Sequence, residues 1–470
     1  MKNYHRLDEI QADLYQNKVT CKKLVQHYLK NIKANASLNA FVEVYAEEAL
    51  SQAEQIDLKL SQQKAGPLAG LVFGIKDLIC YKQHQVSGAS HILKDFESQI
   101  TATAVQRLLD ADAILIGRQN CDEFGMGSSN EHSIYGSAKN PVDPSRVPGG
   151  SSGGSAIAVQ ADMCQISLGT DTGGSVRQPA AFCGIIGLKP TYSRISRYGL
   201  LAYASSFDTI GILSKSIADN AIVLETIAGK DPKDATSSSK KFKREIENTD
   251  TKYSFGYFEE ILSHSAVQEE VRVAYKNKIM ALQDAGHQGN ALDFQYIDEV
   301  LPTYYLLTTA EASSNLARYN GAHFGHRTVE ACNLEEMYKN SRTEGFGSEV
   351  KRRIMLGTFV LSADYHDAYF TKAQKVRRLI KEATERTLQT HDFLLTPTAP
   401  TTAFLLNEKS NPLAMYMADL FTVQASISGI PAISIPIERD RQNMPIGLQI
   451  MSAAFTEDKL FAISKIIMTD

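Results

Sequence analysis

The sequence predicts an α/β fold built around one large β-sheet, and three observations carry that prediction. Short apolar runs such as "LVFGIK", "AILIGR", "CQISLGT", "FLLTPTAP" and "PIGLQIM" recur along the chain, separated by segments of helical period. Alternation of this kind is what a sheet covered by helices requires. The chain is also long enough, at 470 residues with 43% hydrophobic and 22% charged, to bury a sizeable core. Finally, no internal repeat divides it into equivalent units.

In chain order, about the first 65 residues read as helical. Thr20 can cap a helix whose apolar positions Leu24, Val25, Tyr28, Leu29 and Ile32 follow the 3.6-residue period. The strand "LVFGIK" follows and ends at Lys76; "TAVQRLLDAD" then leads as a helix into "AILIGR". Residues 117 to 155 are rich in Gly, Ser, Asn and Pro, a loop length that usually serves function. "SAIAVQADM" reads as a helix and "CQISLGT" as a buried strand stopping at Asp171. A second glycine cluster and the apolar "AFCGIIGLKP" come next. Residues 230 to 252 are polar and turn-rich, either a linker or a surface excursion on one domain. Beyond them stand "YSFGYF", a helix through 266–286, a strand in "ALDFQYI", helices to about 390, "FLLTPTAP", a helix through 412–428, "PAISIPI", "PIGLQIM" and a last helix.

A net charge of −4 gives no overall drive towards nucleic acid. Six scattered cysteines without a CxxC pair read as buried free thiols in a reducing compartment, not disulfides or zinc ligands. There is no apolar leader and no run of about 18 apolar residues, so a soluble, cytoplasmic protein with no membrane contact is expected.

Two glycine-serine clusters dominate the chemistry: "PGGSSGGSA" from Pro148 and "GTDTGGSVRQPA" from Gly169. Successive N–H groups in such turns can hold a phosphate or stabilise an oxyanion. Neither cluster supplies the lysine of a P-loop, and no GxGxxG opens a helix in dinucleotide context. Gly149-x-Ser151-x-Gly153 fits a nucleophile elbow, but three prolines precede it where a strand should run. Ser61–Lys64 and Ser237–Lys240 match SxxK only within polar tracts, without the partner motifs. No histidine sits in a catalytic motif; His323 and His326 read as an exposed helix face in preference to metal ligands. A hydroxyl nucleophile then needs another base, and a desolvated lysine can serve. Lys76 ends an apolar strand, where an unpaired charge would be costly and a neutral amine can stand; on the local residues alone a Lys76–Asp77 surface pair at the strand end is the stronger reading.

Together these pieces resemble the amidase signature family. The stretch from Gly149 to Pro190 is similar to its signature almost residue for residue, with Lys76 at the matching distance upstream. The resemblance implies one domain over residues 1–470, with a large mixed, twisted central sheet covered by helices on both sides. It also implies Ser175 as nucleophile, Ser151 after a cis peptide as relay, and Lys76 as base. N–H groups of Thr172, Gly173, Gly174 and Ser175 would form the oxyanion hole, while Ser152 and Ser155 satisfy turn backbone.

Over most of the chain the similarity extends to the A subunits of tRNA-dependent amidotransferases within that family. It is carried by "DEFGMGSSNEHSIYG", "SRYGLLAYASSFDTIG", "LPTYYLLTTAEASSNLARYNG", "EGFGSEVKRRIMLGTFVLS" and "TPTAPTTAF". This implies hydrolysis of glutamine, with Arg353 on its α-carboxylate, Asp419 on its α-ammonium, and Tyr304 and Ser128 nearby. An arginine and a carboxylate suit a zwitterionic head, although Arg353 alone would read as a solvated helix face and Asp419 as a structural pair. The resemblance further implies B and C partner subunits, with misacylated tRNA, ATP and Mg held mainly by B and no cofactor or metal in this chain. The alternatives are a stand-alone amidase and a catalytically silent scaffold. Two departures stand out: Gln424 where relatives often carry Pro or Asn, and an expected short tail missing after the last helix.

Overall fold

A computed structural model of the chain describes residues 2, 4–244, 251–293, 295–408 and 412–469. Eleven strands form its sheet: β1 Phe41–Val44, β2 Val72–Lys76, β3 Ile114–Gln119, β4 Ile166–Asp171, β5 Ile186–Lys189 and β6 Thr209–Ser214, then β7 Ser254–Phe258, β8 Gln288–Leu292, β9 Phe393–Pro397, β10 Ala432–Arg439 and β11 Pro445–Ser452. Their order is β1-β3-β2-β4-β6-β5-β10-β11-β9-β7-β8. The sheet is mixed: β2 is parallel to β3 and β4, and β7 to β8 and β9, while the other pairs are antiparallel.

Both faces of the sheet are covered, as the period-2 alternation of side chains shows. Phe73, Ile75, Leu115, Ile210 and Ile212 join one core with Val105 and Leu108 of the helix Thr103–Asp110 and Val223 and Leu224 of the helix Ile217–Ile227. The intervening Val72, Ile114, Ile116 and Leu213 join a second core with Leu24, Val25 and Tyr28 of the helix Cys21–Ala34 and Ile157 of the helix Gly153–Gln160. Thr20 caps the first of those helices, its hydroxyl accepting from Lys23 N–H at 3.2 Å.

Several elements differ from the sequence expectation. The N-terminal region also contains β1, whose "FVEV" suits a half-buried edge strand but lies between helical windows too long to reveal it. The strand expected in "ALDFQYI" lies earlier, at Gln288–Leu292, an exposed edge without the usual apolar alternation. The helix expected through 412–428 is broken into Pro412–Tyr416, a 3₁₀ turn Met417–Asp419 and Val423–Ser428. The chain tightens there to i→i+3 bonds, Leu420 N–H to Met417 O at 3.2 Å and Thr422 N–H to Asp419 O at 3.1 Å, while Arg177 Nη1 donates to the Thr422 carbonyl at 2.7 Å.

The polar stretch after residue 230 is docked on the body as far as it is described. Asp231 accepts from the Thr103 and Ser196 hydroxyls, both at 2.6 Å, and Arg194 donates to Lys240 O at 2.9 Å. Residues 245–250 of that stretch lie outside the described residues. The strands before and after it, β6 and β7, belong to the same sheet. Five cysteines are buried free thiols; Cys332, expected with them, is exposed in a polar loop instead. Among the described residues no helix is long and apolar enough to cross a membrane.

Candidate active site

Parallel strands β2 and β4 are neighbours, so their carboxyl ends open on one edge of the sheet, where ligands of α/β folds bind. β2 delivers Lys76 there, and β4 delivers Asp171 and the loop leading to the helix Arg177–Cys183. Lys76 is fully buried, its Nζ 2.7 Å from Ser151 Oγ, 2.9 Å from Ser152 Oγ and 2.9 Å from Thr170 Oγ1. All three partners are hydroxyls, which leave a charge uncompensated. Burial therefore pulls the amine down to about 8, against the opposing influence of Cys121, Asp122, Asp171 and Asp208.

The Lys76–Asp77 surface pair is corrected by this geometry. Asp77 is equally buried and is taken up by Arg118, by Ser87 N–H at 3.0 Å and by Ala89 N–H at 2.8 Å. Ser152, expected to satisfy only turn backbone, touches Lys76 directly; Ser155 does stay structural, donating to Gln119 Oε1 at 2.8 Å. A cis peptide joins Gly150 to Ser151. Gln178 steadies that turn, accepting from Gly150 N–H and donating to Ser128 O, each at 2.9 Å.

The second glycine cluster folds around Asp171. One carboxylate oxygen accepts from Gly174 N–H at 2.9 Å and Arg177 Nη2 at 2.8 Å; the other accepts from Val176 N–H at 3.1 Å and Arg177 Nε at 3.0 Å. Burial pushes this carboxyl up, but Arg177 outweighs it and holds it below the ordinary value. Gly174, expected as an oxyanion donor, therefore has its N–H directed to Asp171. The N–H groups of Thr172, Gly173 and Ser175 have no protein acceptor among the described residues. Only glycine fits at two positions here. A Cβ on Gly173 would collide with the Tyr304 ring and hydroxyl, and one on Gly174, at φ +139°, with the Thr422 side chain.

Ser175 hangs from this loop, 9% exposed. Its carbonyl accepts from Ser152 N–H at 3.1 Å, which ties the two clusters together. Its hydroxyl bonds to no protein group among the described residues, so the Lys76–Ser151 link is closed and the Ser151–Ser175 link is open. Catalytic hydrogen bonds are commonly loose before substrate binds.

The other end of the site holds a buried cation and a buried anion. Arg353 is 4% exposed, not on a solvated helix face. Its Nε donates to Glu349 Oε1 at 2.8 Å and its Nη1 to the Tyr203 hydroxyl at 2.9 Å, within a cage of the Tyr203, Tyr305 and Tyr416 rings. Nη2 has no protein acceptor among the described residues. Asp419 makes no ion pair among the described residues; it accepts from Ser128 Oγ at 3.0 and 3.1 Å and from the Tyr305 hydroxyl at 2.9 Å. Burial pushes its carboxyl up to about 6, with those hydroxyls opposing. Tyr305 thus meets Asp419, while Tyr304 borders Gly173.

Sequence reading missed Ser152, Thr170, Tyr203, Tyr305 and Glu349. Only Glu349, four residues before Arg353 on one helix, left a readable signal. Gln424 packs away from these groups, its Nε2 donating to Thr384 Oγ1 at 3.1 Å. His326 pairs with Glu344 at 2.6 Å and lies in a loop, not on the helix face expected. No group of three or more His, Cys, Asp or Glu that could hold a metal occurs among the described residues.

The site therefore offers a buried amine with a lowered pKa, unpaired N–H donors in one turn, and a buried cation and a buried carboxylate at its other end. The family profile described as Amidase matches residues 23–461. The A subunit of glutamyl-tRNA(Gln) amidotransferase from Chlorobium phaeobacteroides (strain BS1) is 47% identical, covering 96% of each chain. Its counterpart from Trichodesmium erythraeum (strain IMS101) is 45% identical over 97% of this chain and 96% of its own. Among solved structures, the glutamyl-tRNA(Gln) amidotransferase A subunit from Thermotoga maritima superposes with a TM-score of 0.80 at 39% identity, covering 96% of this chain and 92% of that one. Native peptide amidase from Stenotrophomonas maltophilia gives 0.81 at 25% identity, covering 98% and 95%. The chain belongs to the amidase family, and within it to the group of glutamyl-tRNA(Gln) amidotransferase A subunits.

Proposed function

We propose that this chain releases ammonia from glutamine as the A subunit of a tRNA-dependent amidotransferase, for conversion of Glu-tRNA(Gln) to Gln-tRNA(Gln), Asp-tRNA(Asn) to Asn-tRNA(Asn), or both. The observation that carries the chemistry is the buried Lys76 amine, at about 8 and 2.7 Å from Ser151 Oγ. Ser175 Oγ attacks the side-chain amide carbon while its proton passes to Ser151 and that of Ser151 to Lys76. The oxyanion is met by free N–H groups of the 172–175 turn. Lys76 returns the proton through Ser151 to the departing nitrogen, which leaves as ammonia. Water then cleaves the glutamyl ester, giving glutamate and free Ser175. Arg353 and Asp419 hold the α-carboxylate and α-ammonium.

In this reading a B subunit carries the misacylated tRNA with ATP and Mg, a C subunit joins the pair, and the assembly works in the cytoplasm. The near-neutral charge of this chain agrees with that division. The test is ammonia release by the chain with and without its B and C partners and aminoacyl-tRNA. Ser175→Ala is expected to abolish it with the fold intact; substantial release from a pure Ser175→Ala sample refutes the nucleophile assignment. Robust hydrolysis of simple aliphatic amides by the chain alone, indifferent to glutamine, would favour a stand-alone amidase.

A further inference from the structure

Asp208 is a buried carboxylate that the mechanism above does not use, yet it joins the two ends of the site. Strands β4 and β6 pair antiparallel with Asp171 opposite Thr209, so the residues just beyond, Thr172 and Asp208, also face each other. The Thr172 hydroxyl donates to Asp208 Oδ1 at 2.7 Å. Oδ2 accepts the N–H groups of Tyr203 at 2.9 Å and Ala204 at 3.0 Å. Thr172 opens the turn whose Thr172, Gly173 and Ser175 N–H groups are unpaired among the described residues, and the Tyr203 hydroxyl receives Arg353 Nη1. One buried side chain, 3% exposed, is therefore bonded both to Thr172 and to the backbone of Tyr203, and the Tyr203 side chain carries the link on to Arg353.

The loop between these contacts is clamped from its other side as well. Glu311 accepts from Ser206 N–H at 2.9 Å, Arg377 donates to Ser206 O at 3.0 Å and Oγ at 2.8 Å, and the Arg377 guanidinium lies 4.0 Å over the Phe207 ring. Phe207 in turn meets Tyr304 edge-on at 5.8 Å. Four elements thus converge on residues 203–208, which bear no group of their own on the reacting atoms. Such over-determination is expected where a distance must be held, because a site tolerates little misplacement of its binding groups.

We propose that Asp208 is a positioning residue that sets the span between the 172–175 turn and Arg353, and so makes the site measure the length of the amino-acid amide. The inference rests on the glutaminase reading. On this reading a five-carbon glutamine reaches both ends together, and asparagine, one methylene shorter, fits both less well. Asp208→Asn keeps the shape and an acceptor for the Tyr203 and Ala204 N–H groups. It removes the negative charge and turns an amide towards the Thr172 hydroxyl.

The test compares glutamine and asparagine hydrolysis by the assembled complex carrying Asp208→Asn, with the complex carrying Tyr203→Phe beside it. Removing the charge behind the Thr172, Tyr203 and Ala204 bonds, or the hydroxyl that receives Arg353, is expected to raise KM for glutamine about tenfold with a smaller change in kcat. The preference for glutamine over asparagine falls with it, and both variants behave alike. Tyr203→Phe deletes only the hydroxyl and keeps the idea testable should Asp208→Asn fail to fold. Unchanged preference, or equal loss for both substrates through kcat alone, overturns the assignment while leaving the glutaminase reading in place. A wild-type complex that does not hydrolyse glutamine overturns that reading and this inference together.

Discussion

Replacing Lys76 by methionine removes the buried amine while nearly keeping its volume, and the structure sets opposite expectations for activity and stability. Removing a general base from its proton path typically costs about 10²–10⁴ in rate, so ammonia release should fall by at least that range's lower bound. Stability should barely move. The fold holds the amine at about 8 against an ordinary 10.5; at about 1.4 kcal/mol per pH unit, carrying its charge at neutral pH costs about 3 kcal/mol. Between pH 8 and 10.5 the unfolded chain binds this proton and the native state does not. Native stability therefore rises with pH across that window, and the penalty is present in full below pH 8. Methionine abolishes the penalty but takes a partner from Ser151, Ser152 and Thr170, at roughly 1 kcal/mol each. The two effects cancel to within about 1–2 kcal/mol. The assay is kcat/KM for ammonia release by the assembled complex across pH, with urea unfolding in parallel. Wild type should rise to a plateau above about 8, and the variant should be slow and without that rise. A variant keeping more than a tenth of wild-type activity, or a wild-type profile with no inflection near 8, refutes Lys76 as the base.

Asp419, at about 6, meets an ammonium only as a carboxylate, so KM for glutamine should rise as pH falls through about 6. Asp419→Asn should remove that acid limb and raise KM at neutral pH; initial-rate kinetics across pH decide it. Gly173→Ala drives a Cβ into Tyr304 and displaces a donor turn, with an expected kcat loss of about 10²–10³ and a stability loss of about 1–3 kcal/mol, read from ammonia release and thermal unfolding. Asp171→Asn leaves Arg177 buried without its counter-charge and should cost about 3–5 kcal/mol in denaturant unfolding. Thr20→Ala should cost only about 1 kcal/mol and leave ammonia release unchanged.

Local patterns made most of the fold legible. The apolar runs ending at Lys76 and Asp171 are strands because a fully buried strand reads as a continuous apolar segment. β1 and β8 were not legible in place, since edge strands expose one side and lose that pattern. The break at 417–422 was hidden for another reason: Thr422 there is held by Arg177 and by the Gly173 carbonyl, some 245 residues away in sequence.

By itself the sequence determined the chemistry available: two glycine-serine turns, a lysine at the end of an apolar strand, and a long family likeness assigning their roles. What only the tertiary structure decided is who touches whom. Lys76 meets Thr170 because β2 and β4 run parallel, Ser152 joins them by accepting the Thr170 N–H, and Asp171 takes the Gly174 N–H beside Arg177. Arg353 is a buried cation, not a solvated one, because three aromatic rings from separate segments close over it. Such contacts depend on register and packing between distant segments, which no local pattern encodes.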